Sequence, residues 1–222
     1  MGQDFKAVVF DMDGVIFDSE RLVIECWKVI ADKYGVRDIE TTCHECLGVN
    51  GTETKQKFLN RYGQDFPYDT YKSEMSKLYH DKYDGGRLPM KKGVVELLQY
   101  LKGAKVKVAL ASSTRKAVVE QELTDAGIIQ YFDVVIGGDM VTRSKPQPDI
   151  FLKACEELGV APQEALAIED SYNGIRAAAA GKLRPLMVPD LMPPTEEMEK
   201  LAERIFTDLF EVLSYISQGT AM

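Results

Sequence analysis

The sequence predicts an α/β protein: a Rossmann-like parallel sheet core with helices on both faces and an inserted α-helical cap. Three observations carry that reading. From about residue 92 onward, helix-like and strand-like stretches alternate regularly, which is the pattern of a parallel sheet wrapped by helices. A first strand-like run ends at Phe10, and the next begins near Val106, about 95 residues later. A parallel crossover needs only about a dozen residues, and this interval reads as helix almost throughout, so it is an insert rather than a connection.

Each element follows from its local pattern. Val8, Val9 and Phe10 form a short apolar run suited to a buried strand. In "SERLVIECWKVIADKYG", Ser19 is placed as N-cap, and Leu22, Val23, Cys26, Trp27, Ile30 and Tyr34 recur at three-and-four spacing. That spacing assigns Trp27 and Tyr34 to a core, and Gly35 ends the helix. Amphipathic stretches follow near 41–48, 52–62 and 69–83, then "DGGRLP" at 84–89 reads as a loop or hinge. "KGVVELLQYLKG" is helical, "VKVALASS" a strand, "TRKAVVEQELTDAG" helical and "FDVVIGGD" a strand. "KPQPDIFLKACEELG" is a loop then a helix, "EALAIEDS" a strand, "YNGIRAAAAG" a helix and "RPLMVPD" the last strand. "TEEMEKLAERI", with a solvated acidic face, and "TDLFEVLSYI" close the chain as helices. The expected division is 1–17 and 88–222 for the α/β core and 18–87 for the cap.

Composition bounds the partners. The chain has 222 residues, with 27 Lys plus Arg against 35 Asp plus Glu, a net charge of −8. That argues against a general nucleic-acid surface but leaves room for a small anion held by a local positive field. "MGQDFKAVVF" has no signal-peptide pattern and no apolar run approaches a membrane span, so the expectation is a cytoplasmic protein with no membrane partner; because a moving cap needs no partner subunit, a monomer is expected. Cys43 and Cys46 form a Cys-x-x-Cys around His44, but no second cysteine pair exists to complete a zinc site. They are read as ordinary helix residues.

In open α/β sheets, ligands bind beyond the carboxyl ends of the strands. Those ends carry Asp11 and Asp13, Ser112 and Ser113, Lys145 in the loop after the third strand, and Glu169 and Asp170. Each piece alone has a plain reading: a turn for Asp-x-Asp-Gly, a rigid loop for Lys-Pro-x-Pro, helix caps for the serines and for Glu-Asp-Ser. What distinguishes them is that all fall on one expected rim. Crowded carboxylates need a cation, and an all-oxygen set suits Mg²⁺. Lys145 and the amides near Ser112–Thr114 could hold phosphate oxygens. One aspartate could attack phosphorus, while a second protonates the leaving oxygen and later activates water.

The motifs "DMDGV", "ALASS", "SKPQPDIF" and "IEDSYNGIRAA", in this order, resemble those of the haloacid dehalogenase-like hydrolase superfamily. The helical insert resembles the small cap of its β-phosphoglucomutase and phosphatase branch. The resemblance implies Asp11 as nucleophile and Asp13 as general acid/base, with its backbone carbonyl on Mg²⁺. It implies Ser112 and Lys145 as phosphoryl-holding residues and Asp170 as a magnesium ligand, with Glu169 a ligand or its support. β-Phosphoglucomutases are similar throughout, but carry a His and a cap Arg where this chain has Val23 and Gly51. The expected function is therefore Mg²⁺-dependent hydrolysis of a small phosphorylated metabolite, with a sugar phosphomutase and a non-catalytic phospho-ligand binder as rivals. Arg21, Asn50, Thr52 and Lys55 are the expected cap residues facing the leaving group.

Overall fold

The computed structural model describes residues 5–47, 49 and 51–218. Strand β1 (Ala7–Phe10) is followed by helices α1 (Ser19–Tyr34), α2 (Ile39–Glu45), α3 (Gly51–Tyr62) and α4 (Tyr68–Tyr83). Then come α5 (Val94–Gly103), β2 (Lys107–Ala111), α6 (Lys116–Asp125), β3 (Val134–Ile136), α7 (Asp149–Leu158), β4 (Ala165–Glu169), α8 (Tyr172–Ala180) and β5 (Arg184–Met187). α9 (Glu196–Leu201), β6 (Arg204–Ile205) and α10 (Leu209–Gln218) complete the order.

The sheet has six strands in the order β3-β2-β1-β4-β5-β6, and every pairing is parallel. Its two faces are written with period two in the strands. Val8, Phe10, Val108, Leu110, Leu166 and Ile168 pack one face against leucines of α5, α6 and α10. Ala7, Val9, Ala109, Ala111, Ala165 and Ala167 present a flatter face on which α7 and α8 lie. Because both faces are covered, the strands read as continuous apolar runs rather than alternating ones.

The chain leaves β1 for β2 and β3 on one side, then returns to β4, β5 and β6 on the other. The crevice at this reversal lies between the carboxyl ends of β1 and β4, where ligands bind in sheets of this kind.

The four helices after β1 have a core of their own, built on Trp27, Phe58, Tyr68, Met75 and Tyr79. Two chain segments lead into them side by side: the Asp18 amide donates to the Pro89 carbonyl and the Lys91 amide to the Ile16 carbonyl.

Two expectations need correction. "RPLMVPD" is not the last strand: the "LAERI" stretch leaves its helix at Leu201, and Arg204–Ile205 pairs in parallel with β5. Two residues are too few to show a period, and only the exposed edge of β5 makes them a strand. Tyr34 is not in the core; it is 38% exposed. It lies in the last turn of α1, stacks on Tyr71 at 4.2 Å and donates its hydroxyl to Glu74.

Candidate active site

The carboxyl ends of β1, β2 and β4 meet at Lys145. Its Nζ donates to Asp11 Oδ1 at 2.5 Å, Glu169 Oε1 at 2.6 Å and the Ala111 carbonyl at 3.1 Å. The side chain is 7% exposed and its ammonium lies over the Phe151 ring, 4.9 Å from the centroid. Burial works against the lysine's charge, but Asp11 and Glu169 outweigh it and hold Lys145 above its ordinary value.

Glu169 is held from both ends. Its Oε2 accepts from the amides of Asp170 and Ser171 and from the Ser171 hydroxyl. Ser171 in turn caps α8, its Oγ accepting from the Gly174 amide. The carboxylate thus rests on a helix N-terminus, where the macrodipole favours a negative charge. No side chain fits behind it: a Cβ on Gly174 would stand 1.8 Å from Glu169 Cδ. Gly14 plays the same part for Asp170. It has φ +78°, and a Cβ there would lie 2.4 Å from Asp170 Oδ2.

Asp13 lies in the turn between β1 and α1, its side chain against the first residue of the helix. Its Oδ1 accepts from the Ser19 hydroxyl at 2.6 Å, and Thr114 Oγ1 approaches Oδ2 at 3.5 Å. Ser19 is therefore not the N-cap; Asp18 occupies that place, and Ser19 turns its hydroxyl to the acid instead. Ser112 is fully buried, and its Oγ accepts from the Thr114 amide. That bond turns it into the loop, while Ser113, Thr114 and Lys145 line the cleft.

One lysine faces more acid than it can neutralise. Burial, then Glu169 and Asp13 against the opposing pull of Lys145, leaves the Asp11 carboxyl at about 8. Burial also raises Asp13 and Asp170, the latter helped by Glu20 and Glu169. Carboxylate oxygens of Asp11, Glu169 and Asp170 lie within 4.8 Å of one another, all in buried residues. Hard oxygen donors, buried and in excess of their counter-charge, fit a Mg²⁺ ion.

The site opens into a cleft of about 810 Å³ between the sheet and the helical insert. A family model of the haloacid dehalogenase-like hydrolases matches residues 8–188. The chain belongs to that family. Within it, the chain is similar to both phosphatases and phosphoglucomutases. The phosphorylated carbohydrates phosphatase of Thermotoga maritima is 32% identical over 173 residues, 78% of this chain and 80% of the relative. The β-phosphoglucomutase of Bacillus subtilis is 30% identical over 203 residues, 84% and 88% of the two chains. The crystal structure of a CbbY mutant from Rhodobacter sphaeroides, in complex with xylulose-(1,5)bisphosphate, has a TM-score of 0.76 at 28% identity, covering 93% and 96%.

The insert's contribution to this hydrolase's cleft differs from expectation. Arg21 pairs with Asp18 and Glu25, Lys55 pairs with Asp69, and neither they nor Thr52 line the cleft. Asn50 lies outside the described residues. The cleft wall comes from other helix faces, with Trp27, Thr54, Lys72, Ser76, Tyr79 and His80, and from Val23 and Gly51. The expectation favoured polar residues near the helix starts. Which face meets the sheet depends on how the four helices pack, which local spacing does not record. Cys43 and Cys46 also line the wall; burial pushes their thiols up to about 12 and about 11, so they stay protonated. Among the described residues, no helix is long and apolar enough to cross a membrane.

Proposed function

We propose that the protein is a Mg²⁺-dependent phosphatase acting on a small phosphomonoester, a sugar phosphate or related metabolite. The observation that carries this reading is the cluster of Asp11, Lys145, Glu169 and Asp170 at one end of the sheet, opening into the cleft with Asp13 beside it. Asp11 and Asp170, with the Asp13 carbonyl, would hold the ion, and Glu169 would support them by orienting Lys145. When bound, the ion supplies positive charge to the phosphoryl oxygens.

The residues then divide the work. Asp11 attacks phosphorus in line, forming an aspartyl phosphate as the bond to the leaving oxygen breaks. Asp13 gives its proton to that oxygen. The Ser19 hydroxyl holds Asp13 in place. Asp13 next takes a proton from water, whose oxygen attacks the phosphorus and frees Asp11. Lys145 offsets charge on the phosphoryl oxygens, and the amides around Ser112 and Ser113 bind them. In this reading residues 18–87 are a cap moving on residues 1–17 and 88–222, excluding bulk water while Asp11 reacts.

A phosphomutase must regrip a second phosphate. At the places where the mutases carry His and a cap Arg, the cleft here has Val23 and Gly51, which supports hydrolysis. The test is a screen of phosphorylated metabolites with and without Mg²⁺. Phosphate release that needs Mg²⁺ and is lost in Asp11→Asn is expected; full activity in Asp11→Asn would overturn the assignment, and isomerisation without release would favour the mutase.

A further inference from the structure

Asp170 belongs to two groups of acids. One is the cluster with Asp11 and Glu169. In the other, carboxylate oxygens of Glu20, Asp170 and Asp190 all lie within 4.8 Å of one another. Three separate segments supply them: Glu20 comes from the first turn of α1, Asp170 from the end of β4 and Asp190 from the loop after β5. The proposed reaction uses neither Glu20 nor Asp190.

This group is not a solvated acidic patch. The Asp190 side chain is 8% exposed; Lys91 Nζ donates to its Oδ1 at 2.5 Å, while its Oδ2 is buried with no hydrogen-bond partner. Glu20 Oε2 is buried and unpartnered as well. A buried carboxylate oxygen with neither a donor nor a cation is costly. Among the described residues, Lys91 is the one cation in contact with these three acids. Asp11, Asp13, Glu20, Glu169, Asp170 and Asp190 together meet only the ammonium groups of Lys145 and Lys91. Even with Asp13 protonated, one divalent ion leaves that assembly negative.

Oxygens so spaced can all touch one hard cation, with metal–oxygen bonds of about 2.0–2.6 Å. Such an ion needs no open chamber of the kind a sugar hydroxyl needs. It sits between the oxygens, and closure to bulk water is what ligands facing one another show. Glu20 and Asp170 border the cleft, which gives an ion its way in.

We propose that Glu20, Asp170 and Asp190 form a second divalent-cation site, for a hard ion such as Mg²⁺ or Ca²⁺, with Asp170 shared between it and the ion of the reaction. The second ion ties the first turn of the helical insert to the segments that follow β4 and β5. Its work is structural: it removes the repulsion among three acids packed together and restrains Asp170. The site stands whether or not the protein is a phosphatase.

The test counts ions. Mn²⁺, which shares the oxygen preference of Mg²⁺, is titrated into the metal-free full chain, and free Mn²⁺ is followed by electron paramagnetic resonance. Two tight ions per chain are expected. Asp11→Asn should weaken one of them. The isosteric changes Asp190→Asn and Glu20→Gln, each checked for folding by circular dichroism, should weaken the other by about tenfold or more, since even groups that only support a ligand are worth that much. In the Asp11→Asn background, Mn²⁺ should still raise the thermal midpoint, and Asp190→Asn should abolish that rise. One ion per chain, bound equally well by Asp190→Asn, overturns the site and leaves a shared proton as the relief of these acids. One ion whose binding falls in Asp190→Asn overturns it too, since the acids then serve the reaction's ion through water. Two ions that neither Asp190→Asn nor Glu20→Gln weakens overturn the assignment to these residues.

Discussion

At the sheet rim, Lys145 lies between Asp11 and Glu169 with side chains 7%, 11% and 1% exposed. On the helical insert, Lys28–Glu40 and Lys33–Glu74 pair with side chains between 33% and 56% exposed. The bonds are of similar length, 2.5 to 2.9 Å. What differs is the solvent. Exposed pairs are screened and exchange easily for water. A buried pair cannot lose one partner without stranding the other in a low dielectric. The rim is thus committed to one arrangement of charge, and the insert's surface is free to vary.

The sharpest way to break this contrast is through activity. Asp13→Asn should lower kcat for phosphate release by roughly 10² to 10⁴-fold, the usual worth of a positioned acid, and Asp11→Asn by more, because the bond-forming atom is lost. Lys28→Ala on the insert should leave kcat unchanged. Steady-state kinetics on any substrate found by the screen decides it, and equal losses would end the distinction.

Stability should follow the same divide. Lys145→Met strands two buried carboxylates and is expected to cost about 3–5 kcal/mol in urea unfolding at neutral pH. Lys33→Met should leave the urea midpoint where it is.

Glycines sharpen the comparison further. In an ordinary helix, Gly→Ala is favourable by about 1 kcal/mol. Gly174→Ala in α8 should instead destabilise by about 1–3 kcal/mol and lower activity, because its Cβ meets Glu169 at 1.8 Å. Gly51→Ala at the start of α3 meets only Lys72 Nζ at 3.8 Å, so thermal unfolding should show no loss.

The last test of the contrast is in pH. Asp11 in the fold holds its proton up to about 8, whereas in the unfolded chain it releases it near the ordinary carboxylate value of about 4. The folded state then binds more protons between those values, so the Asp11 contribution is fully present below about pH 4 and is lost as pH rises through about 8. Without divalent metal, urea stability at pH 8 should be lower than at pH 5, and Mg²⁺ should restore it. Glu40 and Glu74 run the other way, lowered first by hydrogen bonds from Lys28 and Lys33. Their share is present above the ordinary glutamate value and is lost as pH falls through their lowered values. A metal-free protein more stable at pH 8 than at pH 5 would mean that the rim does not carry excess negative charge.

Much of the sheet was legible because its signals are local. Apolar runs ending in Asp11, Ser112 and Glu169 marked β1, β2 and β4 directly, and ligands in such folds gather where strand direction of travel reverses. The two-residue β6 was not legible, having no period to show. Ser19 looked like a helix cap because hydroxyls at helix starts usually are; its bond to Asp13 depends on the turn through Gly14. Glu20 gave no signal at all, since a glutamate in the first turn of a helix ordinarily faces water.

Residue order alone determined the parallel sheet, the helical insert after the first strand, and the strand ends from which Asp11, Asp13, Lys145, Glu169 and Asp170 come. Periodicity, caps and turns are set by neighbours in the chain, so they can be read there. Tertiary structure alone decided that Lys145 bridges Asp11 and Glu169, that Arg21 and Lys55 stay in solvent, and that Tyr79 and Glu20 face the cleft. Those outcomes depend on how each helix is rotated and packed on distant partners, a balance of burial and desolvation that no local stretch contains.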